Sequence, residues 1–200
     1  WREARGREPD ETDLDELYGR LEPAMGATVA QYADPIPGAV ELAAQLRTAG
    51  VRVGATTGYT RAIMGPLFPV ARQKGLEPEV TVCADEVAAG RPAPWMLFRA
   101  MEALGAYPPG RVVAVGDTLA DVRAARNAGC WALGVALSGN QVGLSLRDWE
   151  ALPEVGREEL AVAARCGLSD AGAHFVIDGV WDAPPVLEEI GRRIENGEKP

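Results

Sequence analysis

From Val40 onward, short apolar runs alternate with stretches of helical period, and this alternation restricts the fold more than any other feature of the chain. Segments 51–55, 80–84, 112–115, 131–135 and 174–177 read as strands, while 40–48, 60–74, 94–104, 119–128, 160–171 and 185–194 read as helices. Two strands joined through a helix must run parallel, because a tight turn can join only antiparallel neighbours. The pattern therefore predicts an α/β fold, a Rossmann-like parallel sheet with helices on both faces. Ligands in such sheets bind beyond the carboxyl ends of the strands, so the polar residues after each apolar run are the candidates for chemistry.

Upstream the pattern differs. Leu14, Leu17, Tyr18, Leu21, Met25, Val29 and Tyr32 follow helical spacing, with a break or kink expected at Pro23. The polar stretch Trp1 to Thr12 has no core pattern, and the acidic run Asp10 to Glu16 reads as a solvated helix start. The turn Asp34-Pro-Ile-Pro-Gly38 divides an N-terminal helical piece, residues 1–33, from a main body, residues 34–200.

A net charge of -9 excludes a nucleic-acid partner, which needs a clustered basic face. No apolar run is long enough to span a membrane, so no membrane partner is expected. Cys83, Cys130 and Cys166 are odd in number and lack metal-site spacing, which fits a reducing compartment, the cytoplasm. Cys83 and Cys130 read as buried small hydrophobes, and His174, the single histidine, as a structural residue. The chain opens on Trp1, and its first methionine is Met25, so it reads as trimmed or cut from something longer. Only two of its 20 basic residues are lysines, Lys74 and Lys199.

The residues after three strands carry the chemical signal. Val112-Val-Ala-Val115 reads as a short buried strand, and Gly116 turns the chain into Asp117 and, four residues on, Asp121. Two carboxylates across a strand end and a first helical turn suit Mg²⁺, although a strand-end Asp can also simply cap the next helix. Thr56-Thr-Gly-Tyr-Thr60 offers hydroxyls and backbone N–H groups to an anion, or only a helix cap at Thr60. Arg91 sits between Gly90 and Pro92, placed for bidentate contact with phosphoryl oxygens or left as a surface residue of a Pro-rich loop.

Taken together, segments 54–61, 90–96, 115–122, 127–135 and 172–178 resemble the phosphonoacetaldehyde hydrolase family of the haloacid dehalogenase superfamily. The Gly-Asp-x-x-x-Asp motif points to the superfamily, while Thr-Thr-Gly-Tyr-Thr and Gly-Arg-Pro-x-Pro-Trp-Met are more specific. The resemblance implies hydrolysis of the C–P bond of phosphonoacetaldehyde to acetaldehyde and phosphate, in the degradation of 2-aminoethylphosphonate. It implies a Mg²⁺ cofactor, a Schiff base on a cap-domain lysine and an attacking aspartate that becomes an aspartyl-phosphate. Thr57, Gly58 and Tyr59 then match the phosphoryl and substrate region, Arg91 the cationic position, Asp117 the metal ligand and Asp121 the acid supporting the metal. A homodimer is implied for the full-length protein.

Departures from the family pattern accompany these matches. Ala114 and Cys130 replace the usual lysine and methionine. The family's leading strand, with its nucleophilic Asp, has no counterpart; Asp13-Leu-Asp15 opens a helix instead. Neither lysine suits a Schiff base. Residues 1–33 resemble the returning end of a helical cap, and 34–200 a core without its first strand. That strand lies mid-sheet in the family, so its loss predicts two unpaired edges, an apolar slot and a chain inactive alone. A general phosphatase of the superfamily and a non-catalytic phosphate or Mg²⁺-binding remnant remain open alternatives.

Overall fold

A computed structural model describes residues 2–200; Trp1, at the head of the polar stretch, lies outside the described residues. The N-terminal piece comprises α1 (Arg2–Arg5) and α2 (Glu11–Thr28). Asp10 caps α2 by accepting from the Asp13 N–H at 3.0 Å, and Asp13 accepts in return from the Asp10 N–H at 3.0 Å. Asp13 is only 6% exposed and is held by the guanidinium of Arg7. The acidic run is thus not wholly solvated, as its composition suggested. Nor does Pro23 break α2, which runs through it before a 3₁₀ turn at Val29–Tyr32. Leu14, Leu17, Tyr18 and Leu21 form an exposed apolar stripe on this helix.

The main body begins with α3 (Ala39–Thr48), then β1 (Gly54–Thr57). β1 starts three residues later than the apolar run predicts. The Val51 N–H closes the end of α3 on the Leu46 carbonyl, and the Val53 N–H is taken by the Glu79 carboxylate. The single helix expected over 60–74 is two, α4 (Arg61–Met64) and α5 (Leu67–Gln73), divided at Gly65-Pro66 where proline supplies no N–H. Next come β2 (Val80–Cys83), α6 (Trp95–Leu104), β3 (Val113–Gly116) and α7 (Leu119–Ala128). The chain ends with β4 (Trp131–Val135), α8 (Leu146–Ala151), α9 (Glu154–Asp170), β5 (Phe175–Ile177) and α10 (Ala183–Glu195). α8 falls in a segment without a strong apolar period.

All the strand pairs are parallel, but they form two sheets rather than one: β1 with β2, and β3 with β4 and β5. β1 and β3 each keep one unpaired edge. α6 packs on β1 and β2, α7 on β3 and β4, and α6 against α7, so the helices join the two sheets. β4 is buried at all five positions, and the main core gathers on it from Val122, Ala125, Ala132, Ala164 and Leu168. By contrast β3 is not the buried strand that its apolar residues suggest. Val115 is 46% exposed, and among the described residues no strand pairs with β3 on its far side.

Candidate functional site

β1 and β3 deliver their carboxyl ends to one place, and Arg91 connects them. Arg91 lies on the loop from β2 to α6, follows Gly90 and precedes a cis peptide to Pro92. The Asn127 side-chain amide on α7 donates to the Pro92 carbonyl at 2.8 Å and ties this loop down. The Arg91 guanidinium donates to Oδ1 of Asp121. It also covers Gly58, where a Cβ would lie 3.5 Å from Arg91 Nη2. A half-buried arginine therefore spans the turn after β1 and the helix after β3.

Thr57 ends β1, and its hydroxyl accepts from the Tyr59 N–H at 3.2 Å. Tyr59 is exposed, and its carbonyl accepts from the Ala84 N–H just after β2. Thr60 is the cap of α4, accepting from the Ile63 N–H at 3.4 Å, while its hydroxyl donates to Glu22 of α2 at 2.6 Å. The capping role therefore falls to Thr60 and leaves the Thr57-Gly58 turn facing Arg91.

The two carboxylates do different things. Asp121 is the third residue of α7 and completes a reciprocal cap with Thr118. Its Oδ2 accepts from the Thr118 N–H at 3.0 Å and from the Thr118 hydroxyl at 2.6 Å. Asp117 caps nothing. Its Oδ2 accepts from the Asn140 N–H at 2.8 Å, and its carbonyl from the Gln141 side chain at 3.4 Å. No protein donor among the described residues reaches Oδ1 of Asp117. Gly116, just before Asp117, has to be glycine, because a Cβ there would overlap the Asp121 side chain.

Oxygen donors of this kind match Mg²⁺. No group of three or more His, Cys, Asp or Glu among the described residues is arranged to hold a metal. Asp117 keeps one oxygen without a described donor, whereas both oxygens of Asp121 are engaged.

The remaining candidates are structural. His174 Nδ1 accepts from the Ala132 N–H at 2.8 Å, and its ring packs on Trp131. Burial, then the charges of Arg126 and Arg193, hold its pKa below the usual value. Burial pushes the Cys130 thiol up to about 11 and raises that of Cys83, so neither is a ready thiolate. Lys74 is paired with Asp34 at the end of α5. Asn140 and Gly139 carry no motif signal in the sequence. Their proximity to Asp117 follows from β4 lying beside β3, with Gly116 opposite Gly134.

Comparison with known proteins places this arrangement. Residues 1–129 match the haloacid dehalogenase-like hydrolase family model. A phosphonoacetaldehyde hydrolase of Nitratidesulfovibrio vulgaris is 41% identical over the whole chain, which spans 71% of that relative. One from Bacillus cytotoxicus is 37% identical over 96% of the chain and 73% of its own length. A crystal structure of a phosphonoacetaldehyde hydrolase-like protein from Oleispira antarctica superposes over the whole chain with a TM-score of 0.95, at 36% identity and 72% of its length. With its parallel strands and its carboxylate-bearing turn after β3, this chain belongs to the haloacid dehalogenase-like hydrolases, on the branch whose members bear the name phosphonoacetaldehyde hydrolase.

Proposed function

We propose that this chain is the phosphoryl-binding core of a hydrolase that cleaves the C–P bond of phosphonoacetaldehyde, releasing acetaldehyde and phosphate. The observation that carries this reading is Arg91, which covers the Thr57-Gly58 turn and pairs with Asp121. A phosphonate dianion between that turn and Arg91 would accept from the guanidinium and from the backbone of the turn. The guanidinium would then neutralise charge as the phosphoryl group transfers. Thr57 would shape the turn and Tyr59 would face the organic part of the substrate. Asp117, supported by Asp121, would hold Mg²⁺, whose contribution is to polarise a phosphoryl oxygen.

The residues of this chain supply the phosphoryl end of the reaction. Both of its lysines lie away from the strand-end turns, Lys74 at the end of α5 and Lys199 in the C-terminal tail. An attacking carboxylate and a Schiff-base amine would enter with a strand filling the gap between β1 and β3 and with a helical cap. Residues 1–33 would be the returning end of that cap, and a homodimer is the proposed assembly.

The test has two readouts. Titrating inorganic phosphate into the chain by calorimetry is expected to show binding that Arg91→Ala weakens by about 10-fold or more, as for a charge-assisted contact of about 1.5–3 kcal/mol. Equal binding by the variant would sink the assignment of Arg91. A coupled assay for acetaldehyde is expected to give no turnover with these 200 residues alone. Turnover would overturn the need for a further strand.

A further inference from the structure

We propose that the turn after β4, Ser138-Gly-Asn-Gln141, is a positioning element that fixes the Asp117 carboxylate and leaves one of its oxygens open to a divalent cation. The proposal rests on the reading of Asp117 as a metal ligand.

The turn is built from the neighbouring strand outward. After β4 the chain stays on β5: the Ala136 N–H donates to the Ile177 carbonyl at 2.8 Å. The N–H groups of Leu137 and Ser138 then share the Asp178 carbonyl at 2.9 and 3.2 Å. The Asp178 carboxylate is gripped by both arms of Arg165 from α9, at 2.8 and 2.7 Å. The base of the turn is thus held by a bidentate ion pair and three backbone bonds.

From that base the turn reaches the Asp117 side chain by backbone alone. The Gly139 backbone lies against the Asp117 side chain, where a Cβ would overlap the Cβ of Asp117. Gly139 does not have a positive φ, so alanine is compatible with its conformation, and the obstacle is Asp117 itself. The Asn140 N–H occupies Oδ2 and the Gln141 amide reaches the Asp117 carbonyl. One carboxylate oxygen is therefore assigned to the protein and the other is not. A carboxylate fixed in this way loses less rotamer freedom on binding a cation than a free one does. Ser138 Oγ is shielded from solvent and has no hydrogen-bond partner among the described residues.

The experiment measures Mn²⁺ binding to the 200-residue chain by water-proton relaxation, with folding followed by circular dichroism. Asn140→Pro removes the N–H, Asn140→Ala keeps it, and Gly139→Ala pushes on Asp117. Asp117→Asn tests the metal reading itself. Loss of a group that orients a ligand typically costs about 10-fold or more in affinity. That loss is expected for Asn140→Pro and Gly139→Ala, with Asn140→Ala matching the parent. If Gly139→Ala fails to fold, the Asn140 pair decides. Equal Mn²⁺ affinity in parent and Asn140→Pro, with Asp117→Asn impaired, overturns the positioning role and spares the metal reading. A parent that binds no Mn²⁺, or no better than Asp117→Asn, overturns both.

Discussion

Asp121 combines a structural and a chemical role in one carboxylate: Oδ2 closes the cap of α7 and Oδ1 holds Arg91. Asp117, four residues earlier, has its single described side-chain bond from a backbone N–H. The spacing alone made the two acids look equivalent, and their partners make them different. A third carboxylate, Asp13, behaves like Asp121, locked in a cap and paired with an arginine. The Arg7 guanidinium, then the Asp10 N–H, lower its pKa from 3.8 to about 2. Because the folded value is depressed, the stabilisation is complete above the unfolded value of 3.8 and is lost as pH falls through about 2. Asp13→Asn should therefore destabilise α2 at neutral pH, and the difference from the parent should shrink as pH drops from about 4 towards 2. Thermal melts of both proteins across that range check it, and a difference that stays constant with pH would refute the assignment.

At the scale of elements, α7 is the best specified helix. Thr118 starts it, Gly129 ends it with φ 71, and its bounds match the sequence reading at both ends. Thr118→Ala should cost about 1 kcal/mol through the lost cap, measured as a lower urea midpoint. It should also weaken phosphate binding, since Asp121 loses the hydroxyl donor, keeping only the backbone N–H, and its hold on Arg91 loosens. A variant with the parent's midpoint would show that the reciprocal cap adds nothing. Caps, helical period and apolar runs made most elements legible. What escaped was set by backbone groups spent elsewhere. β1 begins late because the N–H groups of Val51 and Val53 have other partners. In the site, Arg91 and Asp121 were legible by residue type. Gly139 and Asn140 were not, because they act through absence of a side chain and through a backbone N–H.

For the whole molecule, the central question is what joins the two sheets. β1 and β3 each have four residues and one unpaired edge, and alternate residues of a parallel strand direct their N–H and C=O to a given side. That leaves about eight backbone groups without strand partners, and at a net value of about 1 kcal/mol per hydrogen bond the sum is about 8 kcal/mol. This is comparable to the whole stability of a typical domain, about 5–15 kcal/mol. Against it stand the packing of α6 on α7, with Met101 in the main core, the packing of Leu42 of α3 on Leu133, Val135 and Ile177, and the half-buried Arg91–Asp121 pair. The isolated chain should therefore associate through its open edges. Sedimentation should show species larger than a monomer that grow with concentration, with binding of an apolar dye. Val115→Lys puts charge on the exposed face of β3 and should reduce both without loss of helical signal. A monomeric parent, unfolding cooperatively at a midpoint of about 45–65 °C, would mean that the helices alone hold the halves together.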